Sequence, residues 1–200
     1  MKITHLFIYP FFAVLALACG PSASDNGSGP MGSGIDTTAI PGTAAFSIVV
    51  LDAEKPSPRK EMKGKIGNTE ITVNYGSPSV RNRVIWDGLV PYDKVWRAGA
   101  NEATTIQFSG NVTIEGKPLA AGRYGFFSIP GKEKWTLIFN SVPDQWGAFD
   151  YDATKDVFRT EVTPQANNEN AEQLDYLIAG NSVVLRWEKL SVSFTVQTAQ

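Results

Sequence analysis

The chain has one cysteine, Cys19, and one histidine, His5, in 200 residues. Both stand at the extreme N-terminus, so the rest offers no disulfide, no thiolate and no imidazole. Zinc sites of the Cys/His type, Ser-His-Asp triads and Cys-His catalysis are excluded from it on that ground. The only Asp-x-Asp stretch, Asp150-Tyr151-Asp152, lacks the third acidic or amide ligand and the glycine of a calcium loop. There is no basic excess: 18 Lys and Arg stand against 20 Asp and Glu, a net charge of -2. The basic residues are dispersed, which argues against a nucleic-acid partner. No long apolar run matches a membrane-crossing helix, which needs about 20 such residues. No segment carries a sustained helical period, and no fixed-period repeat is visible. No metal and no cofactor are expected.

What is present begins with the N-terminus. Met1-Lys2 is a short basic start, and Ile3 to Leu17 is mostly apolar, although His5 and Pro10 interrupt it. Small residues then precede the cysteine in Leu15-Ala16-Leu17-Ala18-Cys19. This is the layout of a signal peptide. Two processing routes share the bond before Cys19. The stretch resembles a lipobox, with Ala16 at position minus three where Leu is commoner, and Ala16-Leu17-Ala18 also fits ordinary A-x-A cleavage. A lone thiol in an oxidising compartment needs a reason, and lipid attachment, palmitate included, supplies one. The expectation is therefore a signal peptide over 1–18, a lipidated Cys19 and a bacterial lipoprotein of the cell envelope, held at a membrane facing the periplasm, the outer membrane first. Gly20 to Gly42 is rich in Gly, Ser, Pro, Asp, Asn and Thr and cannot bury enough surface to order itself. It reads as a tether, so that 19–42 is lipidated Cys plus linker and 43–200 one folded domain.

That domain reads as all-β. Ala45 to Leu51 is a β-branched run, and Ile71, Val73 and Tyr75 alternate with polar residues after a Gly67-Asn68 turn. Thr105 to Phe108, Val112 to Ile114, Arg123 to Ile129, Trp135 to Phe139 and Asp156 to Val162 follow. Leu174 to Ile178, Val183 to Trp187 and Val192 to Val196 read as a closing meander, with turns at Gly180-Asn181 and Lys189-Leu190. Val84 to Val90 is the best short helix. Roughly ten strands and one short helix at most imply an antiparallel β-sandwich or a partly open barrel.

Several blocks resemble a known family: Ser57-Pro58-Arg59, Ser77-Pro78-Ser79-Val80, Ile85-Trp86, Gly88 to Tyr92, Lys94 to Thr105, Ala121 to Phe127, Gln145 to Phe149 and Leu185-Arg186-Trp187-Glu188. In this order they resemble the bacterial exported proteins grouped as domain of unknown function 2911, from Pro58 to Phe194. The resemblance implies the extent of the domain and no activity, so no catalytic residue follows from it.

The densest polar and aromatic block is Trp96-Arg97-Ala98-Gly99-Ala100-Asn101-Glu102. Arg, Asn and Glu supply donors and acceptors and Trp a flat apolar face, the combination that sugar rings require. The plainer reading pairs Arg97 with Glu102 to close a loop, with Trp96 in the core. Trp86 and Arg83, beside Arg81, lie in a long irregular connection, which is either functional or a plug on one end of the fold. Trp146 belongs to a run that ends in Phe149 and Tyr151, either an aromatic platform or, the reading preferred, core packing around a bulge. Trp187 is expected in the core. Glu102 could face Asp87, Asp93, Asp150 or Asp152 as a hydrolytic pair. The ligand-binding candidates are thus Arg83, Trp86, Trp96, Arg97, Asn101, Glu102 and Trp146. The first expected function is a membrane-tethered module that binds a glycan or another envelope ligand. The others are a scaffold that binds an envelope protein and a carboxylate-dependent hydrolase.

Overall fold

The computed structural model describes residues 46–198. The signal segment 1–18, Cys19 and the linker to residue 42 lie outside the described residues. Eleven strands form two antiparallel sheets: β1 Phe46–Asp52, β2 Arg59–Ile66, β3 Thr69–Gly76, β4 Thr104–Phe108, β5 Val112–Ile114, β6 Lys117–Leu119, β7 Gly122–Ile129, β8 Trp135–Asn140, β9 Asp156–Val162, β10 Gln165–Ala179 and β11 Ser182–Thr198. The seven-stranded sheet runs β1-β2-β3-β4-β7-β8-β9 and the four-stranded one β10-β11-β5-β6. This is an all-β sandwich and not a closed barrel.

Inward positions of both sheets meet in an aromatic core. Tyr75 packs against Tyr176 at 4.9 Å between ring centroids, and Phe126 and Phe139 each lie 5.7 Å from Phe194. Each fully buried side chain of this size contributes about 1.5–3 kcal/mol relative to exposure. One charged group is buried in this layer. Lys60 donates to Asp175 at 2.8 Å and to Gln173 at 2.9 Å, and Tyr75 donates to the same Asp175 oxygen at 3.0 Å. Burial, followed by the nearby Asp175 charge, pushes the Tyr75 phenol well above its ordinary range.

Two segments differ from the sequence reading. Val84 to Val90 is not a helix. Asp87 takes a left-handed φ of 60°, and the segment closes by Val90 N–H donating to Ile85 O at 2.8 Å, with Ile85 and Val90 as its inward anchors. Among the described residues the one helical turn is a 3-10 turn at Ala153–Lys155, capped by the Asp152 side chain. Lys189-Leu190 is not a turn either. Strand β11 runs through it, with Glu188 at φ 53° and a register slip against β10. The inward residues are Val183, Leu185 and Trp187 before the slip and Val192, Phe194 and Val196 after it. An odd-to-even change of that kind is what an inserted bulge residue produces.

The site is set by the connection from residue 77 to residue 103, which joins β3 to β4 without forming a strand. Together with residues 141–152 it covers the outer face of β7 and β8. There Phe127 and Ile138 are buried under Val95, Ala148 and Tyr151.

Candidate functional site

Residues 77–103 hold their shape through strain offset by many tethers. Six of its non-glycine residues have positive φ: Arg81, Asn82, Asp87, Asp93, Ala98 and Asn101. Such conformations cost about 1 kcal/mol or more each and gather at functional sites. The tethers are specific. Trp96 exchanges backbone hydrogen bonds with Ser128 at 2.7 and 2.9 Å. The Ala98 carbonyl accepts from Tyr176 Oη at 2.8 Å and from Thr104 Oγ1 at 3.1 Å. Trp96 Nε1 donates to Gly99 O at 3.1 Å. Gly76 permits the closest approach, because a Cβ there would overlap the Ala100 carbonyl oxygen.

Below this connection lies a cluster of four indoles. Trp86 stands 5.0 Å from Trp135 and 5.8 Å from Trp187, edge to face, and Trp96 stacks on Trp187 at 6.1 Å. Trp86 is therefore core-packed and lines neither hollow described below. Trp96 occupies the core, as the plainer reading held, and Trp187 does as well.

Four of the seven candidates do converge. Arg83, Trp96, Arg97 and Asn101 line one cavity of about 470 Å³, floored by Trp96 and Trp187 and walled by Leu89, Pro91 and Phe149. Asn101 Nδ2 donates to Ser57 O at 3.2 Å. Arg83 is tied to two backbone carbonyls: its Nε donates to Val80 O at 3.1 Å and its Nη2 to Ser79 O at 2.5 Å. Arg97 is different. Its Nε is buried without a hydrogen-bond partner, and among the described residues no carboxylate lies in ion-pair distance of it. Burial alone pulls its guanidinium below its ordinary pKa.

The expected Arg97–Glu102 pair is thus not formed. Glu102 turns instead to Arg59 at 3.4 Å and Lys55 at 3.6 Å, residues too distant in sequence for the local spacing to reveal. It lies in a second hollow of about 350 Å³ with Arg59, Asp144 and Trp146. Its own backbone N–H, then the charges of Arg59 and Lys55, hold its pKa below the ordinary value. Asp144 is likewise lowered, by two hydrogen bonds of 2.8 Å from Arg123.

The preferred reading of Gln145 to Phe149 as core packing is corrected. Trp146 is 57% exposed and Phe149 82%. Between them Gly147 takes a left-handed φ of 65°, a conformation that favours glycine, and a Cβ there would press on the Phe149 ring and Arg97 Nη1. Phe149 is the cavity residue the sequence reading undervalued.

Comparison with curated proteins and with solved structures returns no match. A family model described as a protein of unknown function (DUF2911) matches residues 57–196, well over half of the chain and nearly all of the sandwich, including both hollows. The chain belongs to the DUF2911 family.

Proposed function

We propose that this domain is a ligand-binding module carried at the bacterial envelope by a lipid on Cys19, and that its site is the cavity between Arg97 and Phe149. The observation that supports the reading is the state of Arg97: a cation held partly out of water, without an internal partner, in a concavity with aromatic walls. Burying an unpaired polar group costs about 1–3 kcal/mol, and a ligand that accepts from the Arg97 guanidinium would offset part of that cost. Glycans and other small envelope ligands with polar groups around an apolar face suit this lining. The hydrolase reading draws no support from the site, since none of Asp87, Asp93, Asp150 and Asp152 lines the hollow that holds Glu102. The protein-partner reading draws on the exposed Val142, Trp146 and Phe149, which share one loop.

The test is a thermal-shift screen of the full chain against envelope and extracellular oligosaccharides, repeated with Asn101→Ala and Phe149→Ala. A ligand at 100 times its Kd adds about 2.7 kcal/mol of stability. A hit that both variants weaken supports the cavity. A hit that neither variant affects moves the site elsewhere, and a flat screen sinks the glycan reading. Anchoring is tested separately by palmitate labelling, which Cys19→Ala should abolish.

A further inference from the structure

The lining of the cavity narrows the class of ligand. It contains two arginines and no acidic residue. Arg83 gives its Nε–H and one Nη2 hydrogen to Val80 and Ser79, whereas the Arg97 guanidinium makes no hydrogen bond among the described residues, which makes Arg97 the less engaged cation of the two. A guanidinium presents donors in a planar fork that matches a carboxylate, and the partial burial of Arg97 strengthens that match. The acid nearest in sequence, Glu102, is drawn into the neighbouring hollow by Arg59 and Lys55, so it does not neutralise Arg97.

The walls add a second requirement. Phe149 and Leu89 stand at the rim with much of their apolar surface uncovered, at 82% and 46% exposure. An inorganic oxyanion would pair with Arg97 and leave that surface wet. A neutral sugar would cover Phe149 and leave the guanidinium unpaired. Asn101, whose amide N–H is held by Ser57, keeps its carbonyl oxygen available to accept a hydroxyl. An oxyanion, a ring face and a hydroxyl on one small body describe an acidic sugar.

We propose that the cavity takes a uronic-acid saccharide, its carboxylate on Arg97 and its ring face on Phe149, an inference that rests on the binding reading above. Nitrogen-15 spectra of the full chain in detergent micelles report the Arg97 Nε–H directly, assigned by its loss in Arg97→Met. The probes are tri-galacturonate and its fully methyl-esterified form, which share their rings and differ in charge. The acid should shift the Arg97 resonance saturably, and the ester should bind roughly 10- to 100-fold more weakly, the span expected for hydrogen bonds to a charged group. Phe149→Ala, at a position too exposed to unfold the domain, should weaken the acid while Arg97 still responds. If acid and ester bind alike, the anionic inference is overturned and the binding reading stands. If neither probe moves Arg97 or the indole resonances, the inference is overturned and the binding reading loses its leading ligand class. If the acid binds but Phe149→Ala changes nothing, the ring contact is refuted.

Discussion

Replacing Arg97 with methionine should stabilise the protein in the absence of ligand. The side chain is partly buried, its Nε has no partner and no carboxylate of the described residues pairs with it. Methionine keeps the packing of the aliphatic stem and removes the charged head. Relief of one unsatisfied buried group is worth about 1–3 kcal/mol; because part of the guanidinium reaches solvent, the lower end applies, near 1 kcal/mol. For a domain of this size that is a rise in Tm of about 2–4 °C. Lys60→Met is the contrast. Lys60 is as polar and more deeply buried, but it is paired, and its loss leaves Asp175 and Gln173 without their cation. That variant should lose roughly 3 kcal/mol. Urea unfolding of the wild type and both variants at pH 7 gives the two differences side by side. If Arg97→Met is destabilised by 1 kcal/mol or more, Arg97 has an internal partner, and the argument for an open cation fails.

Gly76→Ala should destabilise the fold by about 3 kcal/mol or more, because its Cβ would strike the Ala100 carbonyl; soluble yield and Tm check this, and a neutral effect would mean the connection can retreat from β3. Trp187→Ala removes the ring that contacts both Trp86 and Trp96 and should cost about 3–5 kcal/mol in chemical unfolding, where a loss under 1 kcal/mol would show the indole cluster to be loosely packed. Glu102 has a folded pKa below its unfolded value, so its contribution is present above about pH 4.5 and fades as pH falls through the folded value. With its carboxylate partly exposed the contribution is under about 1 kcal/mol. Glu102→Gln should therefore be slightly less stable than wild type at pH 7 and equal to it near pH 2, and a difference that does not close on acidification would contradict the assignment.

The parts of the fold that could be read from sequence are those where inward positions are apolar at alternate residues, as in β3 with Ile71, Val73 and Tyr75. Strand β2 was not legible because its inward residues are Lys60, Met62, Gly64 and Ile66. Only two of these are large and apolar, and the lysine is inward because Asp175 lies across the core from it. The first half of β10 is polar on both faces and carries no signal at all. In β11 the alternation is present on each side of Glu188 but in opposite phase, which on paper looks like two strands and a turn. The site was legible in part. The block Trp96 to Glu102 is dense in chemistry, and Arg97 and Asn101 do reach one cavity. That Glu102 leaves it depends on Lys55 and Arg59, and that Phe149 enters it depends on a left-handed glycine; neither follows from local spacing.

The four core indoles are near enough to share electronic excitation. At 5.0–6.2 Å between ring centroids, excitation should pass among Trp86, Trp96, Trp135 and Trp187 before emission, while the exposed Trp146 should emit further to the red. Two of the coupled rings, Trp96 and Trp187, also form the floor of the cavity. The protein thus carries its own optical gauge: whatever settles on that floor changes the environment of a chromophore that the fold has already assembled, with no dye attached.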